Sequence, residues 1–169
     1  MDGILGRSMP MESQVSFGEV CQVFSKENPD PSWGSTNYAL GLLRAANDQF
    51  GSWQRRVLTQ EDISRIMLPH HNHEYFELVP PSGLVVSDAL GRLDLAPQSH
   101  VCPRRIEQVS REPLSSVFLS AAPLKGNSDY QELVLRSYGG LTHLDGLHRL
   151  IASALRPRGE IVAYVAGRF

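Results

Sequence analysis

The side chains best suited to chemistry lie in a short run from Asp145 to Arg149. Gly146 permits a tight turn, and the first turn of a following helix would offer unpaired N–H groups to an anion. Arg149 could add two hydrogen bonds to a phosphate. Asp145 could orient a hydroxyl, hold a metal or accept a proton, and His148 could bind phosphate or transfer a proton. The run therefore predicts a phosphate-binding turn.

The same residues also fit a purely structural interpretation. Asp145 could cap the helix, and Gly146 could serve only to turn the chain. Arg149 could pair with a carboxylate instead of a ligand. The spacing alone leaves both interpretations open.

The run requires a strand before it and a helix after it. Leu141 to Leu144 predicts the strand, and Leu147 to Leu155 has the apolar spacing of a helix. Ile161 to Val165 predicts a closing strand. Further strands are expected at residues 75–79, 116–119 and 132–135.

The first half of the chain has mainly helical spacing. Apolar residues recur every three or four positions over residues 17–24 and 38–50, and Thr59 is placed to cap a third helix. Pro103 suits the first position of another helix. These patterns predict an α+β fold with a flexible leader (1–13), a helical N-terminal extension (14–100) and an α+β core (101–169).

Composition argues against two classes of partner. The formal net charge of −2 lacks the basic excess of most DNA-binding domains, so we expect no sequence-specific nucleic acid partner. No apolar run reaches the roughly 18 residues of a membrane span, and no secretory pattern begins the chain. The only two cysteines, Cys21 and Cys102, lie far apart, which favours free thiols in a reducing cytoplasm.

Histidines suggest a second type of site. His71 and His73 would share one face of a strand and could ligate zinc, although a polar loop after Pro69 is the favoured interpretation of residues 70–74. His143 could reach a ligand at the turn, but a core histidine is favoured. Cys102 is expected to be a small buried residue, and neither cysteine is expected to take part in chemistry.

The run from Leu144 to Ala152 resembles the signature of the ParB/sulfiredoxin-like superfamily, and the resemblance extends over about residues 113–166. It implies that Gly146, Leu147, His148 and Arg149 bind nucleotide phosphates. The chain is also similar to small proteins of bacterial natural-product pathways.

Three branches of that superfamily imply different activities. Sulfiredoxins carry a cysteine where this chain has Leu147, which argues against reductase chemistry. Chromosome-partitioning ParB proteins carry a DNA-reading helix-turn-helix after the core, whereas this sequence stops at Phe169. Asp145 matches an aspartate of the free-serine-kinase branch, which is therefore favoured.

The favoured branch implies phosphoryl transfer from ATP or another nucleotide to a small hydroxylated metabolite such as an amino acid. Mg²⁺ would be held by Asp145. Asp145, Glu107, Glu112 and His148 are the candidate catalytic residues, with Glu107 ranked above Glu112 as the base. The alternative is a non-catalytic nucleotide- or metabolite-binding regulatory module that acts through a protein partner. The oligomeric state is left open.

Overall fold

The structure, a computed structural model, describes residues 12–30, 34–73, 75–157 and 159–169. The strands, in chain order, are β1 (Ser13–Val15), β2 (Trp53–Leu58), β3 (Met67–Leu68), β4 (His71–His73), β5 (Phe76–Val79), β6 (Leu84–Val85), β7 (Val117–Ser120), β8 (Thr142–Asp145) and β9 (Ile161–Ala166). The helices are α1 (Phe17–Glu27), α2 (Gly34–Phe50), α3 (Gln60–Arg65), α4 (Val86–Leu93), α5 (Val101–Val109), α6 (Gln131–Leu135) and α7 (Leu147–Leu155). A short 3₁₀ helix, Ser128–Tyr130, precedes α6.

A mixed sheet organises the described part of the chain. Its strand order is β1-β2-β9-β7-β8-β3-β6, while β4 and β5 form a separate hairpin. β7 pairs in parallel with β9, and β3 pairs in parallel with β8; the other pairs of the large sheet are antiparallel. The mixture of helices and strands confirms the expected α+β class.

Strand alternation produces a hydrophobic core on each face of the sheet. On β7, Val117 and Leu119 join one core, while Phe118 between them joins the other. The first core contains side chains from α3, α4, α5 and α7, and the second contains side chains from α1 and α2. Because side chains alternate along a strand, both faces of β7 and β9 are buried under helices.

Residues 14–100 contain the expected helices but also most of the strands. β2 lies beside β9 and β3 lies beside β8, so this segment is interleaved with residues 101–169 in one sheet. Ser13, which was expected to belong to the leader, begins β1 and pairs with Arg55. Residues 1–11 of the expected leader lie outside the described residues.

Some helices and caps predicted from the sequence are present at the expected residues, and other predicted elements are not. α7 spans Leu147–Leu155 as expected, and Thr59 caps α3 in a reciprocal arrangement with Asp62. The prediction of a strand at residues 132–135 is wrong, because these residues lie in helix α6. Pro103 occupies the third position of α5 and not the first, because His100 caps the helix and α5 begins at Val101.

Helix length and composition bear on membrane insertion. Within the described ranges, none of the helices is both long and apolar enough to cross a bilayer.

Candidate metal centre

Gly146 fixes the junction between β8 and α7. Its φ of 102° lies in the left-handed region, and it is the residue that caps α7. A Cβ at this position would meet Val117 Cγ1 at 2.8 Å. Glycine is therefore required both by backbone conformation and by the close approach of β7. The strand, turn and helix expected from the sequence are present, and they place His148 and Arg149 in the first turn of α7.

Arg149 is held by anionic and polar side chains. One terminal guanidinium nitrogen donates to Asp145 Oδ2 at 3.0 Å, and the other donates to Ser115 Oγ at 2.6 Å. Glu27 Oε2, at the end of α1, lies 3.8 Å from the second nitrogen. A phosphate would have to displace or compete with these two carboxylates. The structural interpretation of Arg149 as a carboxylate partner therefore matches the observed contacts.

The N-cap residue of α7 is Gly146, and Asp145 precedes it. The interpretation of Asp145 as the helix cap is therefore wrong. Burial raises the pKa of its carboxyl group, and the nearby Arg149 guanidinium opposes that rise. Glu27 adds to the rise because it places a second negative charge nearby. Arg149 therefore neutralises two carboxylates that are both largely buried.

The two candidate glutamates have different surroundings. Glu107 on α5 pairs with Arg111 at 2.7 Å and with Arg156 at 3.4 Å. Glu112 follows α5 and lines, together with Arg149, a cavity of about 20 Å³. A cavity of that size has room for about one water molecule and is far too small for a nucleotide.

His148 also belongs to a separate cluster of side chains that could ligate a metal ion. His71 on β4, Cys102 on α5 and His148 on α7 each offer one ligand atom, and these three atoms lie within 4.8 Å of one another. Cys102 Sγ lies 3.4 Å from His71 Nε2. The His71 and His148 rings meet edge to face, with centroids 5.7 Å apart. Cys102 is fully buried, whereas the two histidines are partly exposed.

His100 holds β4 against the start of α5. Its Nε2 lies 2.6 Å from the carbonyl oxygen of His73, and its Nδ1 accepts the Cys102 backbone N–H at 3.1 Å. Since Nδ1 is an acceptor, Nε2 carries the hydrogen and donates to the carbonyl. Phe76 packs edge to face against the same ring. The His100 contacts therefore fix the strand that carries His71 relative to the helix that carries Cys102.

The histidines of the cluster are neutral at neutral pH. Burial lowers the pKa of His148 to about 3, with smaller contributions from His71 and Arg105. Burial also lowers the pKa of His71, and neighbouring His73 and His100 add to the effect. Only the neutral imidazole has a lone pair for a metal ion. These two rings are thus in the protonation state that a metal requires.

His143 on β8 lies buried near the same cluster. Burial lowers its pKa to about 3, and electrostatic interactions with Arg149 and with the protonated forms of His71 and His148 contribute. Neither of its ring nitrogens has a hydrogen-bond partner among the described residues. The expectation of a core histidine is correct for its burial, but the expectation of a satisfied one is not.

The sequence did not predict this cluster of His71, Cys102 and His148. His71 was paired with His73 in the zinc hypothesis, and Cys102 was expected to be an inert apolar residue. The structure instead combines His71 with a cysteine and a histidine from two other elements. The available signal was compositional: the chain has six histidines and two cysteines, which only the fold can group.

Comparisons with known proteins assign the chain to a family. No curated protein and no solved structure matches the chain. The model of a family described as "Family of unknown function (DUF6309)" matches residues 9–169, and the chain therefore belongs to the DUF6309 family.

Proposed function

We propose that this protein binds a single transition-metal ion, preferably Zn²⁺, through His71, Cys102 and His148, and uses it to activate water in a hydrolytic reaction. The observation that carries the proposal is the meeting of three ligand atoms from β4, α5 and α7 within 4.8 Å. Imidazole nitrogen and cysteine sulfur are the ligands that zinc prefers in proteins.

Distances support zinc coordination. With bonds of about 2.3 Å to sulfur and 2.1 Å to nitrogen, tetrahedral zinc places neighbouring ligand atoms roughly 3.4–3.6 Å apart. The 3.4 Å between Cys102 Sγ and His71 Nε2 already fits that separation. His148 completes the set with a small side-chain adjustment, since all three separations are within 4.8 Å.

The number of protein ligands supports a catalytic role over a purely structural one. Structural zinc sites usually have four protein ligands, whereas catalytic sites keep one position for water or substrate. His148 Nε2 is buried and has no hydrogen-bond partner among the described residues, so a metal ion at the cluster would satisfy it. A bound zinc ion lowers the pKa of its water to about 7, which supplies hydroxide at neutral pH.

A cobalt titration tests the proposal. Co²⁺ replaces Zn²⁺ in such sites, and its bond to a thiolate gives a charge-transfer absorption. We expect that band to saturate at one equivalent, to vanish in Cys102→Ser and to weaken strongly in His148→Gln. The matched controls Cys21→Ser and His70→Gln should keep it. A folded wild-type protein without the band, or an unchanged band in Cys102→Ser, would reject the proposal.

The phosphotransferase interpretation and the ParB/sulfiredoxin-like assignment stay predictions. The left-handed Gly146 before α7 favours them, because it presents the helix N-terminus as the resemblance implies. The carboxylates on Arg149 and the small adjoining cavity weigh against them. ATP with Mg²⁺ should raise the melting temperature if this second candidate is correct, and should leave it unchanged if the metal centre alone is the functional site. The regulatory module likewise stays an untested alternative.

A further inference from the structure

The strand that carries His71 lies outside the main sheet, because β4 and β5 form a two-stranded sheet of their own. The end of β5 is anchored in the hydrophobic core, where Leu78 and Val79 are fully buried. β4 is less enclosed, since His71 is half-buried and both Asn72 and His73 are exposed. Beyond the pairing with β5, side-chain contacts therefore have to hold this strand in place.

His100 supplies such contacts from the start of α5. Its ring is 3% exposed, and both of its nitrogens form hydrogen bonds. Nδ1 accepts the backbone N–H of Cys102 at 3.1 Å, and Nε2 donates to the carbonyl oxygen of His73 at 2.6 Å. His73 is two residues from His71 on β4. One rigid ring thus joins the backbone of one proposed ligand to the backbone next to another.

The ring of His100 is also fixed by its neighbours. Phe76 packs edge to face against it with centroids 5.3 Å apart, and the His73 ring lies 6.1 Å away. A buried hydrogen-bonding group left without its partner is costly, so both bonds should persist in the folded chain. Neither bond involves a metal ion. The bonds can therefore form before a metal ion binds.

We propose that His100 is a positioning residue of the metal centre, which holds β4 against α5 and brings His71 to Cys102 before the metal ion binds. A site formed in advance avoids the cost of ordering its ligands and binds more tightly. This inference rests on the proposed function, because it names the residue that sets the metal affinity of the same site. His100 is not a ligand, since both ring nitrogens are already bonded to the backbone.

His100→Asn separates the two hydrogen bonds. Asparagine is a good helix cap, so its side-chain oxygen can still accept the Cys102 N–H, but it is too short to reach the carbonyl of His73. Residues that support metal ligands typically raise metal affinity by about tenfold to a hundredfold. We expect the zinc affinity of this variant to fall by about that factor in competition with a chromophoric chelator.

The cobalt spectrum separates a positioning residue from a ligand. At saturating cobalt, His100→Asn should give the same visible bands as the wild type, because all three proposed ligands remain. His71→Gln, which removes a proposed ligand, should change those bands. Altered bands in saturated His100→Asn would contradict the role of His100 as a positioning residue.

Arg92→Ala is the matched control for loss of a contact to the hairpin. Arg92 on α4 donates to the backbone carbonyl of Glu77 on β5 at 2.8 Å, and α4 carries none of the proposed ligands. We expect this variant to have a lower melting temperature but the zinc affinity of the wild type. If Arg92→Ala and His100→Asn weaken zinc binding equally, His100 only stabilises the hairpin and the inference is wrong.

Hydrogen exchange of the metal-free wild type tests the same point without a variant. The amides of residues 71–79 should be protected before zinc is added, as expected for a centre that is already formed. Protection that appears only with zinc would mean that the metal, and not His100, assembles the centre.

Failure of this inference can be told from failure of the proposed function. If the wild type binds zinc and His100→Asn binds it as tightly, this inference alone is wrong. If the folded wild type binds no zinc, both proposals are wrong.

Discussion

Cys102 Sγ and His71 Nε2 lie 3.4 Å apart although they come from different elements, the first turn of α5 and strand β4. His100 maintains this proximity, because its ring bonds to the Cys102 N–H and to the carbonyl of His73. A ring nitrogen of His148, at the start of α7, lies within 4.8 Å of both atoms, so the fold brings together three groups that could ligate a metal ion. A metal ion bound there would link β4, α5 and α7.

Zinc should stabilise the folded chain. At a free zinc concentration a hundred times the dissociation constant, binding adds about 2.7 kcal/mol to the free energy of unfolding. For a chain of 169 residues this corresponds to a rise of about 5–10 °C in melting temperature. Differential scanning fluorimetry should detect the rise in the wild type and in Cys21→Ser, but not in Cys102→Ser. An equal rise in all three proteins would place the zinc elsewhere.

His143→Leu should stabilise the metal-free protein. Both ring nitrogens of His143 lack a partner among the residues the structure describes, and a buried unsatisfied polar group costs about 1–3 kcal/mol. Leucine has a similar volume and needs no hydrogen bond. Urea unfolding at pH 7.5 should therefore give a higher midpoint for the variant. A midpoint lowered by more than 1 M would mean that the imidazole has a bonding role in the fold.

His143 should also make stability depend on pH. Its pKa is lowered to about 3 in the folded state, mainly by burial and also by electrostatic interactions with Arg149 and with the protonated forms of His71 and His148. The unfolded state takes up a proton near pH 6.5 and the folded state does not, so this contribution to stability is lost as the pH falls.

The loss should be about 1 kcal/mol per pH unit between pH 6 and 4.5. Unfolding curves at several pH values will show it as a steeper fall in the wild type than in His143→Leu. Parallel curves for the two proteins would contradict the prediction.

Arg149→Ala should destabilise the fold itself. The change leaves Asp145 and Glu27 as two largely buried carboxylates without their shared cation, which costs about 2–4 kcal/mol. Arg156→Ala is a matched control, because its pair with Glu107 is exposed and should contribute less than about 1 kcal/mol. Chemical unfolding measures both values. Equal effects would mean that the Arg149 ion pairs contribute little to the fold.

The sequence predicted those parts of the fold that have local signals. α1 and α7 show regular apolar spacing, and the Thr59 cap marks the start of α3. β2 was missed because Gln54, Arg55 and Arg56 interrupt its alternation, although it pairs with all six residues of β9. Its strand structure is stabilised by that long-range pairing, which no local pattern reveals.

The candidate site also has one part that local sequence signals predicted and one part that they did not. The turn at Gly146 was predictable because glycine and the flanking strand and helix lie next to each other in sequence. The centre made by His71, Cys102 and His148 was not predictable, because its ligands come from three elements that only tertiary packing brings together. The contact of His71 with Cys102 spans 31 residues, which is too far for a recognisable ligand spacing.

The most direct test of the metal centre is the zinc affinity of the wild type against Cys102→Ser and His148→Gln, measured by competition with a chromophoric chelator. We expect one zinc ion per wild-type chain. Loss of one ligand should weaken binding at least about a hundredfold, which corresponds to about 2.7 kcal/mol, while His70→Gln should retain wild-type affinity. No zinc bound to the folded wild type, or equal affinity in Cys102→Ser, would contradict a centre formed by these three residues.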